Sequence, residues 1–91
     1  MSIWTVSYDL RSPGRNYEAL YKALRSVPFA HILESVWLIE AVGPASRIRD
    51  ELSKTLDAND GLIVVEIPPN ADWAVRSINA ASAEWLKSKR P

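Results

Sequence analysis

Asp9 is the residue in this chain whose type and position most invite chemistry. It closes the apolar run Ile3-Trp4-Thr5-Val6-Ser7-Tyr8-Asp9-Leu10 and precedes the turn loop Arg11-Ser12-Pro13-Gly14-Arg15. A carboxylate at the mouth of a strand can hold Mg²⁺ or Mn²⁺. Such ions keep several waters and commonly use one or two carboxylates together with substrate phosphates. A metal held there polarises a phosphodiester and lowers the pKa of a bound water. Ser7 shares the Asp9 face of the strand, and Ser35 falls where the middle of the chain bends. Either hydroxyl can position water or phosphate, although serines in such places more often satisfy backbone groups. Arg11 and Arg15 flank the loop, where planar guanidinium groups suit phosphate oxygens.

Other catalytic sets are largely excluded. His31 is the only histidine, so His-based metal clusters are ruled out and a Ser-His-Asp triad would have to use this residue alone. There is no cysteine, hence no disulfide framework and no thiolate site. The three glycines are scattered singly and make no phosphate-cradling loop. Asp57-Ala58-Asn59-Asp60-Gly61 has the opening of a calcium loop, but its glycine comes one position early and the terminal glutamate is missing, so it reads as a helix stop and turn. Trp4 and Trp37 fall in strands at core-compatible positions, which favours packing over base stacking; Trp73 and Trp85 are left open.

At 91 residues the chain fits one domain with one modest core. Eleven basic side chains balance eleven acidic ones, which removes the broad positive field of a protein that grips nucleic acid by counterion release. Any contact with RNA or DNA must then be local. No apolar stretch approaches the roughly 20 residues of a membrane span, and no leader-like amino terminus is seen, so a cytoplasmic protein without membrane contact is expected. The basic Lys87-Ser88-Lys89-Arg90 reads as a solvated helix end that suits the helix dipole.

These residues are positioned by short elements. Ile3 to Asp9 is a strand by its β-branched and aromatic content. Asn16 can cap a helix through about Val27, with Tyr17, Leu20, Leu24 and Val27 on one stripe. His31 to Val42 is extended, and a bend near Glu34-Ser35 makes it two paired strands or one bulged strand. Gly43-Pro44 opens a second helix with Ala45, Ile48, Leu52 and Leu56 on its apolar face. Leu62 to Ile67 is a buried-type strand, and after Pro68-Pro69 a third helix is expected over Ala71 to Lys87. The order is that of an α+β, ferredoxin-like βαββαβ core over residues 1–67, with helices on one face of an antiparallel sheet, followed by a Pro-led helical extension over 68–91.

Both faces of the sheet centre read as apolar, and two helices cover only one. The other face needs the third helix or a second copy of the chain; a homodimer is expected, with the Trp-bearing tail bridging the subunits. Two Asp9 carboxylates near such an axis would share a metal.

The strand ending Ser7-Tyr8-Asp9, the following helix, Glu34-Ser35-Val36-Trp37, a second helix and the strand after Asp57 to Gly61 together resemble the small CRISPR-associated Cas-two proteins and their VapD-like relatives. The chain looks closest to short bacterial proteins of that superfamily labelled "SinR family", over residues 2 to 67. The resemblance implies a ferredoxin-like homodimer with Asp9 near the twofold interface. It also implies either a metal-dependent ribonuclease or deoxyribonuclease centred on Asp9, with Ser35 in support, or a structural adaptor that holds DNA; the balanced charge and the lack of a second catalytic group leave a non-catalytic dimeric module that binds protein or nucleic acid as the alternative. The chain departs from the family pattern at Leu33, Trp37 and Leu38, where a glutamine and a Phe-Glu pair are usual, and in its helical tail.

Overall fold

Alternation along the first strand sets the layout. In the computed structural model, which describes residues 1–12, 14 and 16–91, the elements are β1 (Ser2–Asp9), α1 (Glu18–Arg25), β2 (Phe29–Leu33), β3 (Val36–Ala41), α2 (Ala45–Ser53), β4 (Gly61–Ile67) and α3 (Ala80–Lys89). The sheet order is β2-β3-β1-β4, and every neighbouring pair is antiparallel. This is the expected ferredoxin-like α+β arrangement with an added helix. The middle segment resolves into two strands, with Glu34-Ser35 as the turn between them and a register shift between His31 and Leu33.

Even-numbered β1 residues face α1 and α2. Trp4, Val6 and Tyr8 meet Trp37 and Ile39 of β3, Leu20 and Leu24 of α1, and Ile48 and Leu52 of α2 in one buried cluster. Each large side chain so removed from water contributes about 1.5–3 kcal/mol. The opposite face carries a second cluster in which Ala30, Leu38 and Leu86 are joined by Ile32, Ile67, Trp73 and Trp85. All four tryptophans therefore pack into one cluster or the other.

The helices are shorter than the sequence pattern suggests. α1 begins at Glu18, whose N–H donates to Asn16 Oδ1 at 2.8 Å, and ends at Arg25 rather than Val27. α3 begins at Ala80, not Ala71. Asn79 is its cap, accepting the Ser82 N–H at 2.8 Å. Just before it Ser77 sits at a φ of 59°, outside any right-handed helix. Residues 71–79 instead run across the sheet and bring Trp73 into the second cluster. Gly43 lies against the Trp4 ring: a Cβ there would stand 2.6 Å from Cζ2, so any side chain at this position would have to displace the ring.

The tail packs on its own sheet. Arg90 donates through Nε and Nη2 to the Ile67 carbonyl at 3.1 and 3.0 Å, Trp73 Nε1 donates to the Arg90 carbonyl at 2.8 Å, and Lys89 pairs with Glu40 at 3.2 Å. The basic end is thus only partly solvated: Lys87 and Ser88 are exposed, but Lys89 and Arg90 are tied to the sheet, which the dipole argument did not anticipate. α3 also reaches the β2 edge, where Asn79 Nδ2 and Ser82 Oγ both donate to the His31 carbonyl at 3.4 Å. On β4 it meets only the Ile67 end, and Ile63 and Val65 remain 57% and 49% exposed. Among the described residues no helix is long and apolar enough to cross a membrane.

Candidate functional site

The end of β1 carries the residues that the sequence singles out. Ser7, opposite Ile63, and Asp9, opposite Gly61, lie on the face turned away from α1 and α2. They are about 7 Å apart along the strand. Ser35 sits one strand over, in the β2–β3 turn, where its carbonyl accepts the Tyr8 N–H at 3.1 Å. Among the described residues no side-chain hydrogen bond joins Ser7 or Ser35 to Asp9. Arg15 and Pro13 lie outside the described residues.

Arg11 is a strut rather than a free cation. Its Nε donates to Asp9 Oδ2 at 2.9 Å and its Nη1 to the Asn59 carbonyl at 3.1 Å. Around it the β1–α1 loop is laced to the α2–β4 loop. The Arg11 N–H donates to Asp60 Oδ1 at 2.8 Å, Ser12 Oγ to Asn59 Oδ1 at 3.0 Å, and Asn59 Nδ2 to the Arg11 carbonyl at 3.3 Å. Asp60 is the hub of this lacing, since it also accepts the Tyr17 hydroxyl and the Asp57 N–H, each at 2.9 Å. The Asp57–Gly61 turn is local, as its composition indicates. The donors from Arg11 and Tyr17 come from 49 and 43 residues away, beyond the reach of any local pattern.

The expected Mg²⁺ or Mn²⁺ site rests on Asp9, which in one chain stands with few other ligands around it. Asp9 already faces a guanidinium, and among the described residues no group of three or more His, Asp or Glu side chains comes together in metal-binding geometry. A cation beside a lone carboxylate opposes a second, divalent cation there. What the end of β1 offers is an exposed carboxylate and guanidinium beside hydrogen bonds to the α2–β4 loop and the uncovered Ile63 and Val65 of β4.

Behind Asp9 lies a polar network that the sequence pattern does not mark. The buried Tyr8 hydroxyl accepts the Trp37 indole N–H at 3.0 Å and donates to the Glu34 carbonyl at 3.1 Å. That carbonyl also takes His31 Nε2–H at 3.0 Å, and the His31 ring stacks on Trp37 with centroids 3.9 Å apart. His31 is therefore structural, pinning the β2–β3 turn. Burial raises the Tyr8 pKa above its ordinary value, and the hydrogen bond with Trp37 partly offsets this.

Comparison with family models, with curated proteins and with solved structures returns no match for this chain. Its fold is that of a ferredoxin-like α+β domain, and its site is a laced pair of loops beside an uncovered strand.

Proposed function

We propose that the chain works as a Cas-two-like homodimeric interaction module, binding a protein or nucleic-acid partner without catalysing a reaction on it. The observation that carries this reading is the uncovered β4 flank. Ile63 and Val65 stay open to water although Ala30, Leu38 and Ile67 on the same face are covered by α3 and the 71–79 segment. Apolar residues side by side on an exposed strand favour a protein surface against them. The use of Arg11 to hold Asp9 supports a structural role for that pair.

A second reading, a weak Mg²⁺- or Mn²⁺-dependent phosphodiesterase centred on Asp9, is favoured by one feature. The Asp9 carboxylate is 69% exposed and has Ser7 on the same face. One titration separates the two. Wild type and Asp9→Asn are followed with Mg²⁺ and Mn²⁺ for cleavage of labelled single-stranded RNA and duplex DNA while light scattering reports mass. A stable dimer that cuts neither substrate is expected. Metal-dependent cutting lost only in Asp9→Asn would replace the module with the nuclease.

A further inference from the structure

We propose that β4 is a dimerisation strand, pairing antiparallel with β4 of a second copy about a twofold axis at Val64 and joining the two four-stranded sheets edge to edge. The inference rests on the homodimer reading above and specifies how the copies meet.

Backbone direction carries it. Main-chain groups of successive residues point to opposite sides of a strand. The Tyr8 N–H bonds the Ser35 carbonyl, so Trp4, Val6 and Tyr8 turn their main chain toward β3, and Ile3, Thr5 and Ser7 turn theirs toward β4. Through the register Thr5↔Val65 and Ser7↔Ile63, the main chain of Ile63 and Val65 points inward. That of Leu62, Val64 and Glu66 points out of the sheet, and among the described residues nothing hydrogen-bonds these outward groups. At the other edge one of the outward groups of β2, the His31 carbonyl, accepts from Asn79 and Ser82. β4 also lacks most of the usual edge defences: it has no proline, no lysine and no bulge, and its one charge is Glu66.

The strand is self-complementary in one register. Centred on Val64, Leu62 faces the partner's Glu66 and Ile63 faces the partner's Val65, so the hydrogen-bonded positions coincide with the outward residues. The four exposed apolar side chains then meet on one face. The two Glu66 carboxylates stay apart, and each arrives beside Leu62, which lines a small edge cavity together with Arg49 of α2. Centring on Ile63 would set Glu66 against the partner's Asp60. Centring on Val65 would bring Pro68, which has no N–H, opposite the partner's Leu62. The favoured register keeps the two Asp9 carboxylates on opposite flanks, so this pairing and a metal shared between them exclude one another.

Because the chain has no cysteine, introduced thiols report the register. Ile63→Cys and Val65→Cys are purified separately, mixed, allowed to exchange subunits and oxidised, with light scattering on each. The pairing expects dimers throughout, covalent dimer in the mixture, and little from either variant alone, because directly opposed residues fall within disulfide reach. Glu66→Arg is expected to weaken the dimer by about tenfold, with Arg49→Glu in the same chain restoring it. A dimer whose mixture does not cross-link, or in which Ile63→Cys cross-links by itself, overturns the edge pairing and leaves the homodimer reading standing. A wild-type monomer at every concentration overturns both.

Discussion

The Tyr8 hydroxyl accepts the Trp37 indole N–H at 3.0 Å and donates its own hydrogen bond to the Glu34 carbonyl, tying the centre of the first core to the β2–β3 turn. Trp37 is 2% exposed, so its N–H has no recourse to water. Tyr8→Phe leaves that donor unpaired and is expected to cost about 1–3 kcal/mol in urea unfolding. His31→Ala, which removes an exposed ring and one bond to the same carbonyl, is expected to cost less.

The same hydroxyl sets an alkaline limit. In the unfolded chain the phenol ionises near 10, whereas in the fold burial raises its pKa. Between those two values the native state holds more protons than the unfolded one. The Tyr8 contribution to stability is therefore fully present below a pH of about 10 and is lost as pH rises through the folded value. Urea midpoints measured from about pH 8 to about pH 11 should fall at the upper end, and less steeply in Tyr8→Phe.

Asp60 holds two loops through three donors from Arg11, Tyr17 and Asp57. Asp60→Ala is expected to destabilise by about 1–3 kcal/mol and to speed hydrogen exchange at the Arg11 and Asp57 amides. Asp50→Ala, which removes only an exposed pair with Arg49, should change stability by no more than about 1 kcal/mol.

The Asp9–Arg11 pair lies in solvent, with both side chains more than half exposed. Its loss in Asp9→Asn is expected to shift the urea midpoint by the equivalent of less than about 1 kcal/mol. That makes Asp9→Asn a clean probe in the cleavage titration, because a change in activity would not reflect a change in folding.

Gly43→Ala is expected to be costly despite its small size. The added methyl would stand 2.6 and 2.8 Å from Trp4 ring carbons, and the ring is itself fixed by its N–H bond to the Ala41 carbonyl at 2.9 Å. Overpacking of this kind costs about 1–3 kcal/mol, and a shifted Trp fluorescence maximum should accompany the loss.

The sheet and its first core were legible because they follow a period of two: Trp4, Val6 and Tyr8 announce the helix-covered face, and the polar pair Glu34-Ser35 between apolar runs marks a bend without deciding between a turn and a bulge. The start of α3 was not legible in the same way. Ala71 to Ile78 contains residues compatible with a helix, and it is the Asn79 cap with Ser77 at positive φ that delays the helix. At the candidate site, Asp9 was found where an apolar strand meets a loop, but its tie to Arg11 and the role of Asp60 depend on chain segments brought together only by folding. Gly43 looked like a helix opener, and its contact with the Trp4 ring likewise depends on the tertiary structure.

The contact of Asn79 and Ser82 with the His31 carbonyl gives the sheet a direction in assembly. A sheet with two free edges can recruit a copy on each side and grow into a fibre. If copies pair through β4 as proposed, the contact on β2 leaves that strand less open to a further copy than β4. On that pairing the last helix, lying on β2, would favour closed pairs over open-ended growth.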